Sequence, residues 1–198
     1  MLSQLQESIN ALLIGLDSNN ENATRDAIFT IKRSQWAEKS MQGEVFAALI
    51  EVLTSNIALQ SKYTCLVVLY FESSFKLLDS EQKRQLLSLI ESKYGLYKDW
   101  MVQFSFLEIL GEKFSNIESL NVVRRLNKKV RGKLRLFIPH AFEHHVTDSQ
   151  SKLVQAIAFN ELKKLQFRQP IEVIRETKIS LIRVNRRKNE FSLKHIKR

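Results

Sequence analysis

The sequence predicts an all-α protein assembled from antiparallel helix pairs. Three observations lead there. Apolar residues recur at three- and four-residue steps along most of the chain, as in Trp100, Phe104, Leu107, Leu110 and Phe114, and that is the period of one helix face. Five Gly and two Pro in 198 residues are too few turn formers for a fold of many short strands. Similar blocks also return: Thr24–Ile28 aligns with Ser61–Cys65, and more loosely with Met101–Ser105 and Ser151–Gln155, at offsets of 37, 40 and 50 residues.

Taken in order, Ser3 with Gln6 reads as a capping box opening a first helix, whose apolar face is Leu5, Ile9, Leu12, Leu13 and Leu16. Asp17-Ser-Asn-Asn is turn chemistry. A second helix from about Glu21 turns Ala23, Ala27, Ile28 and Ile31 inward. Ser34–Gly43, with Trp36, is loosely patterned. A third helix covers Glu44–Thr54 and a fourth, strongly apolar, Leu59–Phe75. Asp79 with Gln82 is a second capping box, and Gly95 ends the helix it opens. Asp99 caps a central helix, Asp99–Phe114, where Met101, Val102, Phe106 and Ile109 extend the apolar surface around most of the circumference. Such a helix needs other helices packed around it. Ser115 with Glu118 is a third box, opening a helix that runs to Phe137 and is ended or kinked by Pro139. Asp148 and Ser149 precede a further helix with Leu153, Ile157, Leu162 and Leu165. Pro170 suits the first turn of a last helix, although Ile179–Val184 alternates well enough for a strand. Arg186–Arg198 is a frayed end.

The blocks carry a family resemblance. Leu12-Leu13-x-x-Leu16-Asp17 followed by Arg25-x-Ala27-Ile28-x-x-Ile31 resembles a HEAT or armadillo repeat, as does residues 44–75 with Lys62 in place of the arginine. The rhythm, but not the motif, survives beyond residue 115. The resemblance implies an α-solenoid of about four HEAT-like pairs over residues 1–165, followed by a basic C-terminal segment, 166–198. It also implies that Arg25 reaches toward Asp17 and that Ala27 permits close helix packing.

Charge is the second informative feature. The net charge is +10, of which residues 163–198 hold +9 and residues 124–135 hold +7, so the rest of the chain carries −6. On the helix after residue 115, Arg124, Lys128, Arg131 and Arg135 form a stripe opposite Val123, Leu126, Val130 and Leu134, with Arg125 and Lys129 beside it. Arg183, Arg186, Arg187 and Lys188 extend the basic set, and Phe191 lies among them. A cationic face of this kind meets phosphates, an acidic protein or an anionic membrane surface. These ten basic residues are the expected contact set for nucleic acid or another anionic partner.

Enzyme motifs are weaker. His140-Ala-Phe-Glu143-His144 fits the inverted zinc-peptidase pattern H-x-x-E-H, with His145 adjacent. The third ligand of that family is a glutamate lying further downstream than this chain extends, and Glu161, Glu172 and Glu176 are too near. No metal or cofactor is therefore assigned. Asp99-Trp100 raises a resemblance to HEAT-like DNA glycosylases acting on alkylated bases, but cap and core account for the pair. There is no Gly-rich phosphate loop and no G-x-S-x-G elbow. The single cysteine, Cys65, excludes an internal disulfide and fits a reducing, cytoplasmic compartment. It is expected to be buried. No apolar run approaches the roughly 20 residues needed to span a bilayer, and Met1–Glu7 lacks a secretory pattern. The expected function is a non-catalytic adaptor or scaffold that binds a protein partner and has a basic face for nucleic acid. A DNA glycosylase and a small inhibitor or immunity-type protein are the alternatives. Oligomeric state is not legible.

Overall fold

A computed structural model describes residues 2–18, 20–34, 38–55, 63–130 and 135–166. Among them secondary structure is helical throughout. The elements are α1 (Leu2–Asp17), α2 (Glu21–Ser34), α3 (Gly43–Thr54), α4 (Tyr63–Ser74), α5 (Ser80–Lys93), α6 (Trp100–Glu108), α7 (Ile117–Lys129), α8 (Ile138–Thr147) and α9 (Lys152–Gln166). Short 3₁₀ turns, Phe75–Leu77 and Tyr94–Leu96, end α4 and α5, and a π-helical turn, Ile109–Phe114, continues α6. The all-α expectation holds for these residues. The alternating stretch at 179–184, the Pro170 helix and the frayed end lie outside them.

Capping chemistry sets several boundaries. The Asp79 carboxylate accepts from the Gln82 N–H (2.8 Å) while the Asp79 N–H donates to the Gln82 side chain (3.1 Å), so the expected box is present. Asp99 accepts from the Met101 N–H at 2.8 Å. The box before α7 is shifted by one residue: Asn116, not Ser115, is the N-cap, with Ser119 as its reciprocal partner. Ser115 instead sits in the left-handed region (φ 41°) and closes the π-turn, whereas an N-cap needs the extended backbone that Asn116 has.

Two helix bounds also differ from expectation. α7 stops at Lys129 and Val130 is extended, so Arg135 belongs to a separate 3₁₀ piece. Like charges at i,i+4 spacing (Arg124/Lys128, Arg125/Lys129) weaken the end of a helix, and Gly132 just beyond has low helix propensity. Pro139 opens α8 instead of breaking a helix, because the first turn needs no N–H donor there.

Neighbouring helices pack in pairs over the first four helices and again at the end, where α8 lies against α9. α1 lies against α2, and α3 against α4. Each pair meets the next through alternate helices: α1 on α3, α2 on α4, then α4 on α6 and α6 on α8, with α5 on α7 and α7 on α9. One row thus holds α2, α4, α6 and α8. Leu12, Ile31, Leu49, Leu53, Phe71, Ile90, Phe106 and Phe142 are fully enclosed between the helices. At the first interface Gly15 lets the helices close up, since a Cβ there would lie 2.7 Å from Thr24 Oγ1. Ala27 is buried as expected, but Arg25 pairs with its neighbour Asp26 (3.6 Å) instead of Asp17.

α6 is flanked in its row by α4 and α8, and the expected stripe is buried at Leu107 and Leu110 but not at its first member, Trp100. Val102, Phe106 and Leu107 are buried, while Trp100 is 46% exposed and stacks on Phe137. Two long-range side-chain bonds, and a local one that anchors the second, tie the stack together. Gln82 Nε2 donates to the Met41 carbonyl (3.1 Å), the Tyr97 hydroxyl to the Leu53 carbonyl (2.7 Å), and Gln103 Nε2 to the Tyr97 carbonyl (2.6 Å). Cys65 is half-buried, packed on the core edge.

Candidate functional site

Three surface features stand out, and the first is the cationic face. Leu120, Val122, Val123 and Leu126 bury one side of α7 while Arg124, Arg125, Lys128 and Lys129 stand exposed on the other. The helix carries four basic residues and one acid, Glu118, for a net +3. Arg124 and Arg125 are engaged by carboxylates of flanking helices. Arg124 Nε lies 3.3 Å from Glu161 of α9, and Arg125 grips Glu91 of α5 through both guanidinium edges, the second at 2.9 Å. Both arginines remain about half exposed. Arg135 is half-buried on the 3₁₀ piece before α8, so the stripe expected on one helix is divided. Arg131, Arg183, Arg186, Arg187 and Lys188 lie outside the described residues.

The second is a groove of about 650 Å3 between α1 and α3, floored by Ile9, Leu13, Leu16, Ala47 and Ala48 and edged by Asp17, Glu44 and Glu51. It is of opposite sign to α7.

The third is the histidine motif. The i,i+4 spacing on α8 puts His140 and His144 on one face, and that face meets the end of α6. Glu108 Oε1 lies 2.9 Å from His140 Nε2 and 3.6 Å from His144 Nε2. The donor atoms of Glu108, His140 and His144 all lie within 4.8 Å of one another. The outer ring nitrogens face further carboxylates: His144 Nδ1 and Asp148 are 2.7 Å apart, His140 Nδ1 and Glu143 3.5 Å. Phe104 lies flat against the His140 ring. Hydrogen bonds from the His140 ring to the Glu108 and Glu143 carboxylates raise its pKa to about 9. Burial pushes the Asp148 carboxyl up, but the bonds to His144 and Thr147 outweigh it and hold the group below its usual range.

His145 plays another role. It is buried, with Nδ1 donating to the Ala141 carbonyl (2.6 Å) and Nε2 accepting from the Ser119 hydroxyl (2.9 Å). Burial holds its pKa down, so the neutral ring pins α8 to α7.

The sequence reading missed Glu108. A signal was there: it is the one charged residue in Trp100–Glu108, and a lone carboxylate in an otherwise uncharged helix is a functional candidate. The Asp99–Trp100 pair reads as expected at Asp99, whose carboxylate caps α6, but Trp100 is a surface ring instead of part of the core. Among the described residues no helix is long and apolar enough to cross a membrane. No family model, curated protein or solved structure matches this chain.

Proposed function

We propose that the chain is a non-catalytic adaptor of HEAT-like helix pairs, gripping a protein partner at its N-terminal pairs and an anionic polymer, nucleic acid, at its C-terminal ones. The observation that carries this reading is the separation of charge along the stack. The α1–α3 groove is apolar and acid-edged, and fits the apolar face of a basic amphipathic helix. α7, net positive and exposed along its polar side, fits phosphates, whose counterions it would release. The pairing of alternate helices supports a solenoid, an architecture that offers extended binding surfaces more often than catalytic sites. The single cysteine is in keeping with a reducing, cytoplasmic setting.

The test is an affinity capture with and without nuclease, joined to a titration of the full chain with duplex and single-stranded nucleic acid. We expect binding at about 50 mM salt that weakens by orders of magnitude toward about 200 mM, and a protein partner that stays captured after nuclease treatment. No affinity for nucleic acid at low salt removes that half of the reading. Loss of every captured protein on nuclease treatment removes the other.

A further inference from the structure

We infer that Glu108, His140 and His144 form a zinc site that ties α6 to α8. The inference stands apart from the anionic-polymer reading and rests on four observations. The donors are of the right kind: two imidazoles and a carboxylate form a recognised three-ligand zinc set that leaves a fourth position for water. They are at the right spacing. Tetrahedral zinc with bonds of about 2.0–2.1 Å holds its ligand atoms roughly 3.4 Å apart, and Glu108 Oε1 stands 2.9 and 3.6 Å from the two Nε2 atoms. The two imidazole donors lie within 4.8 Å of each other, so side-chain adjustment alone closes the set.

The outer shell is also in place. Asp148 takes the Nδ1–H of His144 and Glu143 faces Nδ1 of His140, the place second-shell carboxylates hold at zinc sites, and the proton between His140 Nε2 and Glu108 leaves when the ion binds. Finally, His144 Nε2 is shielded from solvent and has no hydrogen-bond partner. A buried polar atom aimed at a carboxylate oxygen without bonding to it needs an explanation, and a cation between the two provides one.

The local scaffold fits the same purpose. Glu108 is the last α-helical residue before the π-turn, and π-turns are rare and concentrate at functional sites. Gly111 of that turn packs directly on Ala141 and His144, bringing α6 and α8 close enough for both to reach one ion. Glu108, Glu143 and Asp148 gather three carboxylates at this corner of a chain of net charge +10, which favours a cation there. Soft thiolate ligands are lacking and imidazole outnumbers carboxylate, so zinc fits the donors better than calcium or magnesium.

The full chain, stripped with chelator, should take up one zinc ion when titrated with Zn2+ and read by native mass spectrometry and calorimetry. His144→Ala and the near-isosteric Glu108→Gln should each lower zinc affinity at least about a hundredfold, and Asp148→Asn about ten- to a hundredfold. Glu108→Gln preserves shape, so circular dichroism can confirm that its loss is not a loss of fold. His195→Gln, which removes a histidine far along the chain from the cluster, should leave affinity unchanged. Co2+ substitution should give the intense visible absorption of a tetrahedral site. Absence of stoichiometric zinc, undiminished binding in Glu108→Gln, or binding that follows His195 overturns the assignment.

Discussion

Gly111 touches His144 so closely that a methyl group at position 111 would place its carbon 2.9 Å from the His144 Cβ and 3.0 Å from the Ala141 carbonyl oxygen. Two of the crowding atoms belong to the α8 backbone, which cannot swing aside as a flexible side chain would. Alanine gains up to about 1 kcal/mol of helix propensity over glycine, but overpacking costs typically about 1–3 kcal/mol. Gly111→Ala is therefore expected to be net destabilising by about 1 kcal/mol or more, read as a lower urea midpoint. By prising α8 from the π-turn it should also separate His144 from Glu108.

Ser115 offers the converse. Its left-handed backbone (φ 41°) costs a side-chain-bearing residue about 1–2 kcal/mol, and its buried Oγ has no hydrogen-bond partner. Ser115→Gly relieves both, against about 0.5–1 kcal/mol for glycine's extra chain entropy. The expected result is a gain of about 1 kcal/mol by urea unfolding. Ser115→Ala, which removes the hydroxyl and keeps the strain, should gain less.

The arginines of α7 are restrained by Glu91 and Glu161. Such half-exposed pairs contribute about 0–1 kcal/mol each, so Glu91→Gln and Glu161→Gln should change stability little. Each frees a guanidinium, and if α7 meets phosphates, each should tighten nucleic-acid binding. Every added phosphate contact should steepen the dependence of log K on log salt by about 0.9 for duplex. Titration at several salt concentrations checks this.

Burial, then the charges of Asp99 and Glu72, push the Cys65 thiol above its ordinary range. The thiolate is the reactive form, so alkylation of the folded chain near pH 8 should be slower than that of free cysteine and should accelerate as pH rises. A raised folded value means that the group's contribution to stability is complete below its unfolded pKa and is lost as pH climbs through the folded one. Cys65→Ser should flatten that part of the stability profile.

Much of the fold was written in periodicity and caps. The Asp79–Gln82 box, the Asp99 cap and the buried faces of α3 and α7 are local facts, set by residues within a few positions of one another. The errors arose where local rules compete. Ser115 and Asn116 both suit a cap, and the choice fell to the residue with extended backbone. Pro139 can stop a helix or start one, and only the turn before it decides which. The Trp100 stripe holds at Leu107 and Leu110, which are buried, and fails at Trp100, the first residue of α6, which is exposed at the helix end. Glu108 could not be joined to His140 and His144 from spacing, because 32 residues separate it from the first and only the docking of α6 on α8 closes the distance.

The side-chain bonds from Gln82 to Met41 and from Tyr97 to Leu53 each cross 41 and 44 residues of chain, about the length of one helix pair. Stacked arrays without such rivets can peel away unit by unit from an end. Here, stretching the molecule by its termini should rupture the stretch from Met41 to Gln103 in a single event, with the outer pairs yielding separately.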